Sequence, residues 1–565
     1  MPHNLVVRIA LVPGPSGSGL LRRLHDDGSV AAPPQLVPDL AAAVAAQERA
    51  EPTRWVWRAT RQVYPALLRA GSQVERCHDC ELTGALLAAR DGSDRWPRPA
   101  ASTDGSPDGQ LPAPEQADGQ LPFDRNDDGL AAARELADLI SAHSAQLAGI
   151  AADADPGRFG LLAAAESAGG LVAAEMSATG LPWRADVHDR LLTEQLGPRP
   201  PAAAGPQLRP ARLTELAAEI SLALGALRPV NPDSPAQLQR ALAVAGIRVR
   251  STRSAELRRI EHAVIPLLLE YKELARLHTA NGWAWLDAWI TNGRFRPEYV
   301  VGGVVSGRWA SRGGGALQIP KLLRRAVVAD PGWTLVVADA AQLEPRILAA
   351  LAGDRSFAQL AGTGDLYAAV ASAIGGDRAT AKVALLSAMY GGTGGDGGQS
   401  LALLRRRFPQ ASAFVESAAR AGEEGRVVRS VLGRTCPPPS AAWLSLTSEP
   451  GDPDQARDPG AGAAARARGR FTRNFVVQAS AADWATVLLA LLRGRLAGQE
   501  ADAGRPQLVF FQHDEVIVHC PAGLAAGVVA AIETAAADAT RLVFGSTQVS
   551  IPMTTAAVSC YADAK

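Results

Sequence analysis

Between Thr334 and Asp354 the chain reads TLVVADAAQLEPRILAALAGD, and this stretch restricts the possible folds more than any other. Leu335, Val336 and Val337 form a short apolar run of strand character, Asp339 falls at its end, and residues 343–351 repeat apolar side chains at helical spacing. Pro345 lies in the first turn of that helix, where a missing N–H costs nothing. The strand thus carries a carboxylate to an open edge. A second acidic group comes from LVFFQHDEVIVHC, residues 508–520, where two apolar runs flank His513, Asp514 and Glu515 as the arms of a tight hairpin flank its turn. Two carboxylates on strand ends, far apart in sequence, suit a two-metal phosphoryl-transfer site. Taken alone, each has a plainer reading: Asp339 as a helix cap and Asp514 as a turn residue.

The 565 residues are enough for more than one domain. Residues 1–90 mix apolar runs at 5–12 and 54–57 with an Ala-rich helical stretch at 40–47, which predicts a small α/β domain. Residues 91–128 are rich in Pro, Gly and Asp and repeat DGQLP at 108–112 and 118–122, the composition of a disordered loop. From Leu130 onward Ala and Leu recur at helical spacing, predicting packed helices. Further helices are expected at 209–227, after Ser234-Pro235, and as one long helix over 254–278 bearing Lys272 and Arg276 on a basic face. Residues 445–462 read as a second loop. They lead into Arg466, Arg468, Arg470 and Arg473, an apolar helix with Asn474 and Gln478 four apart, and a last helix over 521–542.

Lys+Arg and Asp+Glu both number 57, so net charge supplies no general attraction to nucleic acid and any basic surface has to be local. One such cluster runs through Arg308, Arg312, Lys321, Arg324 and Arg325, with Asp330 the single acid nearby. That is a phosphate-contacting composition. Another follows Gly375-Gly376, where Asp377 is a candidate N-cap and Arg378, Lys382, Leu386 and Tyr390 succeed one another at steps of four. Arg378 and Lys382 repel by a few tenths of a kcal/mol and oppose the helix dipole, penalties that a docked polyanion removes. Arginine is the usual cation of this chain, so Lys382 marks a place suited to a compact point charge. The bland alternative is two solvated cations on a surface helix.

The five cysteines are too few and too scattered for a disulfide framework. Cys77-His78-x-Cys80 resembles half a zinc site, but no second half follows in sequence, which favours a structural role. No signal-peptide core opens the chain, and no uninterrupted apolar run has membrane-spanning length. These features lead us to expect a cytoplasmic protein with no membrane partner.

From about residue 158 to the C-terminus these motifs, in this order, resemble the DNA polymerase I family, the family A DNA polymerases. Asp339-Ala-Ala-Gln342-Leu-Glu344-Pro-Arg346 is similar to motif A, Arg378-x3-Lys382-x7-Tyr390-Gly391 to motif B and His513-Asp514-Glu515 to motif C. Ser306-Gly307-Arg308, Glu270-Tyr271-Lys272, Gly433-Arg434 and Asn474-x3-Gln478 agree. The resemblance implies an α+β and α/β multidomain chain: a right-hand polymerase of palm, fingers and thumb behind a small exonuclease-like α/β domain. The expected divisions are 1–155 exonuclease-like, 158–300 thumb and connecting helices, 301–360 first palm part, 361–435 fingers and 436–565 second palm part.

By the same resemblance, Asp339 and Asp514 hold two magnesium ions with Glu515 in support. Arg378 and Lys382 grip the triphosphate, Tyr390 sits beside the templating base, Glu344 excludes a ribose 2′-OH, and Gln342 and Leu386 complete the nucleotide site. Arg308, Asn474 and Gln478 contact the duplex minor groove with Arg470 nearby, His513 meets the primer end, and Lys321 adds a DNA contact. The implied partners are primer-template DNA and deoxynucleoside triphosphates. The implied setting is a monomer at the bacterial nucleoid, acting in replication or repair.

This sequence departs from the family pattern at Ala340-Ala341, where Tyr-Ser is usual, at Pro345, and at Leu386-Ser387, where an aromatic-Gly pair is usual. The first 155 residues are similar to the family's proofreading domain in VYPALLRAGSQVERCHDCELTGALLAA. However, LVVRIALVPG lacks the acidic pair such a nuclease needs, and Pro65 stands where another carboxylate is expected. We therefore expect an inactive nuclease domain. Two further readings are a catalytically silent DNA-binding protein on the same scaffold and, more weakly because Glu344 opposes it, a single-subunit RNA polymerase.

Overall fold

The computed structural model describes residues 6–93, 125–201, 209–315, 319–362, 364–391, 397–448 and 459–564. The chain divides into two compact units. One comprises Met1–Thr179, Glu298–Arg312 and Gly332–Ala557, and the other Gly180–Pro297, Gly313–Pro331 and Val558–Lys565.

The first unit opens on a five-stranded sheet in the order Gln35–Val37, Gly19–Leu24, Val7–Pro13, Thr53–Trp57, Arg76–Asp79. Val7–Pro13 pairs antiparallel with Gly19–Leu24 and parallel with Thr53–Trp57, which runs parallel to Arg76–Asp79. Alternation along the strands splits the core between two faces. Ile9, Leu11, Trp55, Trp57 and Cys77 pack on one, and Ala10, Val12, Val56 and Cys80 on the other. The expected small α/β domain is present. Most of the loop expected at 91–128 lies outside the described residues.

A second sheet in the same unit has the order Gln507–Gln512, Glu515–Pro521, Trp333–Ala340, Met553–Val558. Its central strands are antiparallel and in register from Trp333 opposite Pro521 to Asp339 opposite Glu515. Leu335, Val336, Val516, Ile517 and Val518 are fully buried, so register is pinned by packing on both faces. Helices Pro459–Ala497 and Ala525–Phe544 pack together behind it. Helices Arg355–Leu360, Leu366–Ile374, Arg378–Tyr390, Gly397–Arg407 and Pro409–Glu423 form the remaining helical layer.

The second unit contains helices Ala185–Leu196, Ala211–Ala223, Pro235–Val244 and Val264–Asn281, and a short sheet in the order Leu181–Pro182, Arg294–Phe295, Ile290–Thr291. Its core is aromatic, with Trp183 5.3 Å from Trp285 and 5.8 Å from Phe295 between ring centres.

Three differences from the sequence reading have physical causes. The single helix expected over 254–278 is two, Ser254–Leu257 and Val264–Asn281; Pro266 has no N–H to bond back a turn and is tolerated only near a fresh start. The loop expected over 445–462 is helical at both ends, Ala441–Ser448 and Pro459–Ala497, with 449–458 outside the described residues. Helix Pro156–Thr179 falls in the first unit, packed against Thr60–Arg69 and Pro459–Ala497. Lastly, Pro156–Thr179, Gly460–Ala497 and Ala522–Phe544 are long and apolar enough by composition to cross a bilayer, contrary to the expectation of no such run. In the fold 83% of the most apolar window of Gly460–Ala497 is buried within the protein, so packing accounts for its composition.

Candidate active site

Asp339 is the penultimate residue of strand Trp333–Ala340, and His513-Asp514 form the turn between Gln507–Gln512 and Glu515–Pro521. His513 takes a left-handed φ of 58°, positive at the first turn position as a tight hairpin matching strand twist requires. The backbone N–H of Ala340 donates to Asp514 O at 2.9 Å, tying the end of the Asp339 strand to the hairpin turn. Asp339 stands directly across from Glu515, which is 5% exposed. Like charges opposite one another destabilise a sheet by a few tenths to about 1 kcal/mol. In the secondary structure Asp339 thus stands at a strand end and Asp514 in a hairpin turn, as the local sequence patterns suggest.

Glu344 lies in the first turn of helix Leu343–Leu351, where the helix dipole favours an anion. Its carboxylate accepts from the Arg308 guanidinium through one oxygen and from the Tyr390 hydroxyl through the other. Burial raises the carboxyl above its usual range, and the charge and hydrogen bond of Arg308 oppose that. A cavity of about 190 Å³ is walled by Arg308, Glu344, Tyr367, Leu386, His513 and Asp514, with Gln342 on its edge. Seven expected or newly placed site residues from five sequence segments thus share one space. A larger cavity of about 600 Å³, between helix Ala525–Phe544 and residues 545–553, contains none of the expected site residues. His513 is partly exposed, and its ring is held below the usual imidazole range by desolvation and then by the Arg308 charge.

Asp377 caps helix Arg378–Tyr390, its carboxylate accepting from Thr380 N at 2.9 Å. Arg378 does not stand free beside Lys382. Its Nε donates to Asp365 Oδ2 at 2.6 Å, and both cations lie against the Tyr367 ring, at 5.6 and 6.0 Å from its centre. Asp365 also accepts from Gln342 Nε2 at 2.8 Å and caps helix Leu366–Ile374. Burial pulls its carboxyl upward, but the Arg378 bond and the capping N–H groups outweigh this and hold it low. Asp365 and Tyr367 were missed in sequence. The only trace of Asp365 is a cap-type residue before an apolar run.

Arg346, named in motif A, was given no role in sequence. It is fully buried and donates to Ala341 O at 3.0 Å, Ala361 O at 2.6 Å, Ser550 O at 2.9 Å, Gln342 Oε1 at 3.2 Å and Gly364 O. It therefore holds Gln342 in its left-handed conformation at the helix start, φ 52°.

Arg308 is positioned from below. Gly307 has φ 82°, and a Cβ there would stand 2.3 Å from Arg434 Nε. Arg434 is buried, donating to Glu166 and, at 3.0 Å, to Asp483 Oδ1. Burial raises both carboxyls and Arg434 opposes it. The Ser306-Gly307-Arg308 and Gly433-Arg434 motifs are one contact.

Helix Pro459–Ala497 carries Arg470, Asn474 and Gln478 at four-residue steps, and Ala482, the next step, lines the cavity. Arg470 is exposed, and its stem and Arg473 flank Gly391, the cap of the Lys382 helix. The Asn474 side-chain oxygen is buried without a partner among the described residues. Lys321 belongs to the other unit, exposed on the 3-10 turn Lys321–Ala326.

In the N-terminal sheet, Val7–Pro13 carries no acid. Asp79 accepts from Thr60 N at 2.6 Å and Leu82 N at 2.9 Å as a helix cap, and Glu81 pairs with Arg61. Pro65 lies inside helix Thr60–Arg69.

Several known proteins are similar to this chain. DNA polymerase I of Chloroflexus aurantiacus is 35% identical over 115 residues, 19% of this chain and 12% of that protein. The thermostable DNA polymerase I of Thermus thermophilus is 26% identical over 308 residues, 48% of this chain and 34% of that protein. The chain thus matches about a third or less of the length of these relatives. Among solved structures, the POL domain of Pol1 from M. smegmatis, in complex with DNA primer-template and dNTP, superposes with a TM-score of 0.69 at 17% identity, covering 99% of this chain and 96% of that one. The two share a fold. Residues 207–559 match the model of DNA polymerase family A, and the chain belongs to that family.

Proposed function

We propose that this chain is a template-directed DNA polymerase that adds deoxynucleotides to a primer 3′-OH by two-metal phosphoryl transfer, in replication or repair, and that it does not proofread. The observation that carries this reading is the delivery of Asp339, Asp514 and Glu515 to one end of the central sheet. There, Asp514 shares a cavity with Arg308, Glu344 and Leu386. That a polymerase domain of the same fold has been captured with primer-template and dNTP supports the same partners here.

The donors suit magnesium, since all are carboxylate oxygens brought to one end of the sheet. Asp339 and Asp514 would hold two ions, Glu515 supporting, and when bound these activate the primer hydroxyl and neutralise charge on the phosphate. The remaining work belongs to the chain. Lys382 and Arg378 present positive charge to the triphosphate where negative charge grows, with Arg378 exchanging Asp365 for phosphate. Glu344, fixed by Arg308 and Tyr390, is a rigid wall against a 2′-OH. Tyr390 borders the templating base. Arg308, Asn474 and Gln478, with Arg470 nearby, face the minor groove, and His513 the primer end. Lys321 adds backbone contact.

The absence of acids on Val7–Pro13, and the structural engagement of Asp79 and Glu81, support an N-terminal domain without nuclease chemistry. Primer extension with deoxynucleotides and magnesium tests the first claim. A 3′-labelled single strand incubated with the protein tests the second; magnesium-dependent trimming that survives Asp339→Ala contradicts it. Tight primer-template binding without any extension would favour the silent DNA-binding reading instead.

A further inference from the structure

The N-terminal sheet carries a cluster that the proposed polymerase chemistry does not use. His78, Cys80 and His143 are all buried, and each offers one ligand atom within 4.8 Å of the other two. His78 lies in strand Arg76–Asp79, Cys80 opens helix Cys80–Asp91, and His143 comes from helix Arg125–Ala151. The second half absent from the sequence around Cys77-His78-x-Cys80 is thus supplied by a distant helix.

Two further observations point to a ligand. Both ring nitrogens of His143 are buried with no hydrogen-bond partner among the described residues, and the residue is 0% exposed. A buried polar group left unmatched is destabilising, so this ring is poorly explained as plain core. Gln146, one turn further along the same helix, then orients His78. Its amide Nε2 donates to Cys80 O at 2.8 Å, which leaves Oε1 to meet His78 Nε2 at 2.8 Å. An amide oxygen only accepts, so His78 bears its proton on Nε2 and keeps the lone pair on Nδ1. Metal-binding imidazoles are oriented by such partners.

We propose that His78, Cys80 and His143 form a zinc site. Two imidazole nitrogens and a thiolate are donors that zinc takes, and three protein ligands leave its fourth position to water. On binding, Zn–N and Zn–S bonds form, the Cys80 thiol proton passes to solvent, and no oxidation state changes. Ala10, Val12, Val56, Leu136, Leu139 and Ile140 pack into one cluster with Cys80 and shield the site. The ion fastens helix Arg125–Ala151 to the sheet.

The test uses the full chain stripped by chelator, given one equivalent of Zn²⁺ and desalted. We expect about one zinc retained per chain, a rise in thermal midpoint over the stripped protein, and, with Co²⁺ in its place, a thiolate-to-cobalt charge-transfer band with the intense visible bands of a tetrahedral ion. Cys80→Ser and His143→Gln should each lower retained zinc about tenfold or more. Cys77→Ser, on the other face of the strand with its thiol donating to Ser167 O, should keep both zinc and the cobalt spectrum. Wild-type protein that retains less than about a tenth of an equivalent, or Cys80→Ser that retains zinc like wild type, overturns the site. The wild-type zinc content and cobalt spectrum decide the matter even if a variant fails to fold.

Discussion

Lys382 is an exposed lysine in an arginine-rich chain, set against the Tyr367 ring beside an Arg378 already engaged by Asp365. If it grips the triphosphate, Lys382→Ala should lower kcat/KM for nucleotide by about 10²-fold, the scale of losing one preorganised charge at the transition state. Steady-state single-nucleotide incorporation measures this, and an unchanged value would return Lys382 to an ordinary surface cation. Glu344 has the opposite duty, to exclude. Glu344→Ala should raise ribonucleotide relative to deoxynucleotide incorporation by about 10–100-fold, the range that differential contacts at one sugar position provide. It also releases Arg308 and Tyr390, so extension on deoxynucleotides should fall as well. Both residues were legible in sequence from motif spacing. The parts played by Asp365, Tyr367 and Arg346 were not, because each acts through partners that only folding brings near.

Among the elements, strand Trp333–Ala340, its following helix and the hairpin around His513-Asp514 were readable because each is a local pattern: an apolar run, a periodic run, or two runs about a turn. Long-range pairs leave no such trace. Arg434 and Glu166 are 268 residues apart, and nothing local marks them as partners beneath Gly307. Arg434→Met should destabilise the first unit by about 3–5 kcal/mol, because it strands two buried carboxylates; a loss below about 1 kcal/mol in chemical denaturation would contradict the supporting role given to this triad. The second unit carries a pH-sensitive element of its own. His188 Nε2 meets Asn281 O at 2.9 Å and its Nδ1 accepts from Trp183 Nε1 at 3.3 Å, a pattern that only the neutral ring satisfies. Burial holds this histidine down at about 4. Above about pH 6.5 the ring is neutral in both folded and unfolded chains and stability is complete. As pH falls from about 6.5 to 4 the unfolded chain takes up a proton that the folded one refuses, and up to about 3 kcal/mol is lost. Hydrogen exchange along Ala185–Leu196 should show this loss in wild type and a flatter profile in His188→Gln.

At the scale of the whole molecule, the family, the mixed α/β class and the placing of the carboxylates followed from sequence, whereas the course of the chain between motifs did not. The Gly- and Ala-rich start of helix Pro459–Ala497 has a loop-like composition and is helical because its far end is buried against the sheet and neighbouring helices. Helix Pro156–Thr179 reads as part of a continuous helical region, but its packing joins it to the N-terminal sheet. On the proposed function, this assembly brings Asp339 and Asp514 to one end of the central sheet for phosphoryl transfer. Primer extension with magnesium and deoxynucleotides, run beside primer-template binding for wild type, Asp339→Ala and Asp514→Ala, tests it most directly. Wild type should extend the primer. Each variant should lose extension by about 10³-fold or more while binding stays within a few-fold, since affinity comes from phosphate contacts. Extension at wild-type rate by either variant would contradict the account.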